Sequence, residues 1–235
     1  MTSRKVIGVF LNSAVHQPHI NTLTAMTHGI RETTDDLVFL SNSTNYMDCD
    51  VAIIFGSWKD RLTKHHVLKN DIINKHKGDL LVVETPLLGR IITEDHRYYR
   101  VGKGHYMDTL GYFNNKNSDK DRWGIIRTDL GLKIKDWRKD GKHIMFLMQL
   151  PGDAATANVD ILKWLQDEIV KCKKISDRPV RVRMHPLISS YDLSKFEEFV
   201  EKQEDVKMVF GHKDPIAMDL EGCWATVSFT SGGAV

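Results

Sequence analysis

Two stretches of the sequence carry the residue types that bind phosphate, and each of them follows an apolar run. Residues 225–229 predict a short buried strand, and a Thr-Ser-Gly-Gly segment follows it. Small side chains let an anion approach, and backbone N–H groups at the start of a helix point toward it. The segment therefore predicts a phosphate site formed by Thr230, Ser231, Gly232 and Gly233.

The second stretch is residues 180–186, which read VRVRMHP. Their alternation predicts a strand over 180–184 with Arg181 and Arg183 on one face, and the proline that follows holds His185 in an extended conformation. Arg183 and His185 together can neutralise a diphosphate and donate to a leaving phosphate oxygen. The alternative is a solvated strand end whose histidine bonds within the protein. The phosphate segment two β/α units later favours the ligand role.

Residues 149–156, QLPGDAAT, lie between a predicted strand and a helix predicted over 158–173. Gly152 lets a ligand approach the backbone, and Thr156 can cap the helix and donate to a phosphate. Pro-Gly-Asp is also ordinary turn chemistry, so an unliganded βα turn is the alternative for this segment.

Candidate catalytic bases stand in the first half of the chain. His16 and His19 follow the first predicted strand, where a neutral imidazole can take a proton from an acceptor hydroxyl. Their alternative role is to cap the helix predicted over 20–31. Glu84 follows another strand and is either a base or an ion-pair partner of Arg90.

Residues 96–106 interleave basic and aromatic side chains, a mixture that can neutralise a phosphate backbone and stack an unpaired base. A surface hairpin that stacks its own tyrosines is the alternative. The basic run over 59–77 predicts a solvated helical face. The candidate acceptor-binding residues are Arg97, Tyr98, Tyr99, Arg100, Lys103 and Tyr106.

The elements that position these residues form two series. Continuous apolar runs alternate with helical stretches in both halves of the chain, which predicts parallel sheets covered on both faces. Residues 89–139 break the alternation and predict extended loops at an active site. We therefore expect an α/β protein with two Rossmann-like domains, 1–135 and 142–235, joined by a polar segment over 133–142.

Composition narrows the class of protein. The chain of 235 residues is 41% hydrophobic and 27% charged, which is typical of a folded domain rather than a disordered one. A net charge of +2 is too small to indicate a nucleic-acid binder without a local basic patch. Its apolar runs are shorter than a membrane span, and its start lacks a signal-peptide core. The three cysteines fit neither a disulfide framework nor a zinc motif. We expect a cytoplasmic protein with buried thiols.

With these motifs assembled, the chain resembles the two-domain GT-B glycosyltransferases. In those of bacterial capsule and sialic-acid synthesis, a His-Pro motif follows one strand of the second domain and a Ser/Thr-rich motif lies two β/α units later, as at 185–186 and 230–231 here. The motifs over 84–86, 149–153, 183–186 and 228–233 are also similar to glycosyltransferases of bacteriophages, including those that glycosylate hydroxymethylated bases in DNA.

The resemblance implies a glycosyltransferase that moves a sugar from a UDP- or CMP-linked donor to a hydroxyl. It places His185, Thr230 and Ser231 against the donor phosphates, with Gly152 lining the same cleft. We expect Arg183, Gly232 and Gly233 to complete the phosphate site, and His16 or Glu84 to activate the acceptor hydroxyl. No cofactor and no metal are expected, because no Asp-x-Asp motif follows a strand. Since such domains continue with a further helix and strands, we expect the second domain to be incomplete at residue 235. A phage enzyme of this kind would work in the host cytoplasm.

Three alternatives stay open. The acceptor is a modified base in DNA or, second, a capsule or surface polysaccharide. A nucleotide-binding or nucleic-acid-binding protein without catalysis is a different class. A Rossmann-type epimerase or dehydrogenase is disfavoured, because no Gly-x-Gly-x-x-Gly follows the first strand.

Overall fold

The computed structural model describes residues 3–59, 62–88, 98–107, 110–114, 116, 118–156, 158–211 and 215–231. Within these ranges the protein is α/β, with one sheet of five strands and one of four. The chain divides into two compact units, Met1–Lys133 (unit 1) and Ile134–Val235 (unit 2). None of the described helices has both the length and the apolar character needed to cross a bilayer.

Unit 1 is built on a mostly parallel sheet whose strand order is β2-β1-β3-β4-β5, with β5 antiparallel to β4. Its strands are β1 (Val6–Phe10), β2 (Leu37–Ser41), β3 (Val51–Phe55), β4 (Asp79–Glu84) and β5 (Arg100–Lys103). Its helices are α1 (Gln17–Thr33), α2 (Lys64–Lys75) and α3 (Arg122–Asp129).

The core of unit 1 lies around β1 and β3. All five residues of β3 are buried, as are four of the five in β1, because helices and neighbouring strands cover the centre of the sheet. A continuous apolar strand of this kind is what a parallel sheet requires. The chain leaves β1 to one side for β2 and returns on the other side for β3, so the topological switch point lies between β1 and β3.

Unit 2 contains a fully parallel sheet in the order β8-β7-β6-β9. Its strands are β6 (His143–Leu147), β7 (Val180–Met184), β8 (Val206–Phe210) and β9 (Cys223–Ser228). Its helices are α4 (Ile161–Lys173), α5 (Ser190–Glu201) and α6 (Ile216–Asp219). The chain runs outward from β6 to β8 and crosses back to place β9 beside β6, so the switch point of this sheet lies between β6 and β9.

Side-chain caps fix where the two long helices of unit 2 begin. The Asp160 carboxylate accepts a hydrogen bond from the backbone N–H of Lys163 at 2.9 Å, and the Ser189 hydroxyl accepts one from Asp192 at 3.1 Å. Such caps satisfy donors that the first helical turn leaves unpaired. Helix α4 therefore begins three residues later than the 158–173 prediction, and its buried face, including Leu165, packs on the sheet.

Two element predictions are wrong in detail. Helix α1 begins at Gln17, because Pro18 fits the first helical turn, and it continues past Gly29 to Thr33. Residues 89–139 are not loop throughout, since β5 and α3 lie within them. β5 joins the sheet as an antiparallel edge strand despite its polar sequence, because edge strands expose one side to solvent.

Candidate functional site

In open parallel sheets ligands bind at the carboxyl ends of the strands, next to the switch point. In unit 2 that place lies between the loops that follow β6 and β9. Gln149 follows β6, and its side-chain oxygen accepts a hydrogen bond from the backbone N–H of Thr230 at 2.8 Å. The same amide donates to the Thr230 hydroxyl. One side chain thus fastens the two loops to each other where a ligand is expected.

The loop after β9 is also closed on itself. The backbone N–H of Ser231 donates to the Ser228 hydroxyl at 2.9 Å, a short turn that fixes the chain directly after the strand. Thr230 is exposed, and its hydroxyl is engaged by Gln149. Gly232 and Gly233 lie outside the described residues.

The loop after β6 presents Gly152 to open space. Gly152 has a φ of +67°, and among the described residues no heavy atom lies within 4 Å of the point where its Cβ would be. Thr156 has a different role from the one predicted. It is buried, and its hydroxyl donates to the Leu150 carbonyl at 2.8 Å. Thr156 therefore holds the loop in shape and does not face a ligand.

His185 follows β7, the strand beside β6. Its Nδ1 accepts a hydrogen bond from the backbone N–H of Leu187 at 3.1 Å, so the neutral ring carries its proton on Nε2. Burial lowers the pKa of His185, and the Asp153 carboxylate acts in the opposite direction. The half-buried ring is consequently neutral near pH 7 and offers one N–H donor at the carboxyl edge of the sheet.

Arg183 is buried, so the alternative of a solvated strand end does not hold for it. Arg181 is exposed, but Arg183 is 9% exposed because α6 covers it. Its guanidinium forms an ion pair with the buried Asp219 of α6 and donates to the Gly211 carbonyl at 3.2 Å. The guanidinium is therefore committed to contacts within unit 2. These contacts hold α6 and the end of β8, and the phosphate-binding role of Arg183 stays a prediction.

In unit 1 the predicted bases occupy separate places along the carboxyl edge. His16 is exposed at the start of α1 and makes no side-chain capping bond, so the capping alternative is wrong for it. His19 lies within α1, where its ring stacks on Phe55 with 4.0 Å between centroids. Glu84 ends β4, two strands away from β1, and its Oε1 accepts from the N–H and the hydroxyl of Thr85 at 2.7 and 2.9 Å. Arg90, the alternative partner of Glu84, lies outside the described residues.

The cationic residues proposed to bind DNA are engaged within unit 1. Arg100 donates from Nε to the Thr85 carbonyl at 2.9 Å. Lys103 forms an ion pair with Asp79 across β4 and β5 at 2.6 Å. Arg97 lies outside the described residues. These contacts tie β5 to its neighbour β4.

The tyrosines of the same segment also contact the protein itself. Tyr98 donates its hydroxyl to Asp129 at 3.0 Å. Tyr99 packs edge-to-face on Phe55, with centroids 6.1 Å apart. Tyr106 is 8% exposed, so it is not a platform on which a displaced base can stack. The residues over 98–106 thus serve the packing of unit 1 more than an open binding face.

Sequence reasoning missed two partners at these edges. Asp219 lies 36 positions beyond Arg183, and no local pattern links them; the buried pair follows from the strand order. Lys69 belongs to the run predicted to be a solvated helical face, yet it is 4% exposed and reaches the carboxyl edge of β3.

Within the described ranges, no group of three or more His, Cys, Asp or Glu side chains is arranged to hold a metal ion. Comparison of the chain with family models, curated proteins and solved structures gives no match.

Proposed function

We propose that the protein is a glycosyltransferase whose unit 2 binds the phosphates of a nucleotide-sugar at the carboxyl edge of its sheet, between the loops after β6 and β9. The observation that carries this proposal is the pair of hydrogen bonds between Gln149 and Thr230. They fasten the loop that contains Gly152 to the loop that contains Thr230 and Ser231, at the switch point of a parallel sheet, where such sheets bind nucleotides.

Gly152 and His185 supply the contacts in this proposal. The open space beside Gly152 admits a phosphate to the backbone. The Nε2–H of His185 donates to a phosphate oxygen, and this bond strengthens as the leaving group gains charge. In the transfer, the acceptor oxygen bonds to the anomeric carbon while the bond from that carbon to the phosphate oxygen breaks, and the hydroxyl proton passes to a base.

A nucleotide-binding protein without catalysis is the second candidate, and one observation favours it. Arg183 was the cation expected to stabilise the leaving phosphate, and Asp219 already pairs with it. A neutral imidazole and backbone N–H groups neutralise less of the charge on a leaving phosphate than a free Arg-His pair would. Release of UDP from a UDP-sugar, measured over time, separates the two candidates, since a binding protein releases none.

Binding is tested with a calorimetric panel of UDP, CDP, CMP and GDP against a matched pair of variants. Gly152 and Gly222 both have positive φ, and a Cβ at either meets nothing within 4 Å among the described residues. Asn tolerates that backbone conformation, so both substitutions preserve the fold. Gly222 precedes β9 at the opposite edge of the sheet.

We expect Gly152→Asn to weaken nucleotide binding by about tenfold or more, which is about 1.4 kcal/mol. Gly222→Asn should leave it unchanged. Equal affinities in the two variants, or a wild type that binds no nucleotide, would exclude the proposed site.

A further inference from the structure

Unit 1 contains a buried cation at the carboxyl edge of its sheet. Lys69, on α2, is 4% exposed, and its Nζ donates to the carbonyl of Phe55 at 3.1 Å, where β3 ends. An ammonium has three donors, and among the described residues Phe55 is its one hydrogen-bond acceptor. A buried charged group with unmade hydrogen bonds is costly. The remaining donors therefore call for a further acceptor.

A carboxylate and a glycine face the same space. Glu84 ends β4, the strand next to β3, and its Oε1 is occupied by Thr85. A Cβ at Gly56 would lie 3.5 Å from Lys69 Nζ and 3.7 Å from Glu84 Oε2. In the described part of the chain, Lys69 Nζ and the Glu84 carboxylate do not come within 4.0 Å of each other. Gly56, with a φ of +74°, thus leaves a space between a cationic donor and an anionic acceptor.

The charges around this space select the ligand. Burial lowers the pKa of Lys69 to about 8, with Glu84 acting in the opposite direction and Lys59 in the same one. Lys69 is therefore mainly protonated at pH 7. The Glu84 carboxylate would repel a phosphate or carboxylate that entered the space, and the Lys69 ammonium would repel a cation. An alcohol hydroxyl avoids both conflicts, because it accepts from an ammonium and donates to a carboxylate at once.

We propose that the space over Gly56 is a binding site for an alcohol hydroxyl, held between Lys69 Nζ and Glu84 Oε2. Glu84 takes the hydroxyl's hydrogen bond, and Lys69 stabilises negative charge on its oxygen. That this hydroxyl is the acceptor in glycosyl transfer rests on the proposed function; the binding site itself does not, because its residues all belong to unit 1.

The site is tested by NMR on protein labelled with ¹⁵N at its 16 glycines, so that Gly56 and Gly152 report on separate edges in one spectrum. Two hydroxyl probes are used, methyl β-D-glucopyranoside and 5-hydroxymethyl-2′-deoxyuridine, with inorganic phosphate as the anionic probe. We expect at least one hydroxyl probe to shift the Gly56 amide in a saturable manner. The probe that binds identifies a sugar or a modified base as the source of the hydroxyl.

Matched variants connect the shift to the two charged groups. Lys69→Met and Glu84→Gln keep the side-chain length and remove the charge, and each should weaken probe binding by about tenfold. Lys64→Met, on the exposed side of the same helix, should leave it unchanged.

The proposal fails if neither hydroxyl probe shifts Gly56, if phosphate shifts it instead, or if Lys69→Met binds the probe as the wild type does. Failure of the nucleotide proposal has a separate signature. It leaves Gly152 unmoved by UDP, whatever happens at Gly56.

Discussion

Substituting Arg183 with methionine tests whether this residue supports the fold or binds a phosphate. Arg183 and Asp219 are 9% and 8% exposed, and their ion pair joins β7 to α6. Without the guanidinium, the Asp219 carboxylate stays buried with no counter-charge. Removing one partner of a buried pair costs about 3–5 kcal/mol. The Arg183→Met variant should therefore lose about that much free energy of unfolding.

The double variant sharpens the test. Arg183→Met combined with Asp219→Leu removes both charges and leaves apolar groups, a change that is often neutral. It should recover most of the stability lost by the single variant. Urea unfolding followed by circular dichroism gives the free energies of all the variants. Arg181→Met, exposed on the same strand, is the control and should change stability by less than about 0.5 kcal/mol.

The opposite pattern would refute this reasoning. If Arg183→Met unfolds like the wild type but loses nucleotide affinity, Arg183 is a ligand of the phosphate, as the strand pattern predicted. If the single and double variants lose the same unfolding free energy, Arg183 does not stabilise the fold through its ion pair with Asp219.

Three further predictions concern single side chains. Burial lowers the pKa of Lys69 from 10.5 to about 8, so between these pH values the unfolded chain binds more protons and the stability of the fold rises with pH. Relative to Lys69→Met, the wild type should gain about 3 kcal/mol of unfolding free energy over this interval in urea titrations. A difference between the two proteins that does not change with pH would contradict the burial of Lys69. Gln149→Leu should lower the free energy of local opening at Thr230 by about 1.4 kcal/mol and so speed amide hydrogen exchange there about tenfold. Unchanged exchange would mean that the two loops stay together without this side chain. His185→Gln should weaken UDP binding by about 1.5–3 kcal/mol in calorimetry, which is the range for a hydrogen bond to a charged group. The control, His28→Gln at an exposed position of α1, should leave UDP binding unchanged.

The sequence predicts the class of fold because its signal is local. Runs such as that of β3 are apolar at every position, and their alternation with amphipathic helices requires parallel sheets with both faces covered. The prediction of an α/β protein with two mainly parallel sheets is confirmed. β5 and α3 were missed because β5 is short and polar and α3 buries no residue, so neither has an apolar pattern.

The sequence predicts where the candidate site residues lie better than it predicts which side chains they contact. Residues that follow strands lie at the carboxyl edge by topology, which is why Gly152, His185 and Thr230 share one edge in unit 2. The partner of each side chain depends on strand order and on which helix covers the edge. For that reason the pairing of Arg183 and the burial of Lys69 could not be read from neighbouring residues.

The most direct test of the central claim is the glycine-labelled NMR spectrum of the wild type titrated with UDP. We expect a saturable shift of Gly152, in the loop after β6, with Gly222 at the opposite edge of the same sheet unmoved. Shifts confined to glycines of unit 1, or no saturable shift at all, would contradict the assignment of the phosphate site to the edge between β6 and β9.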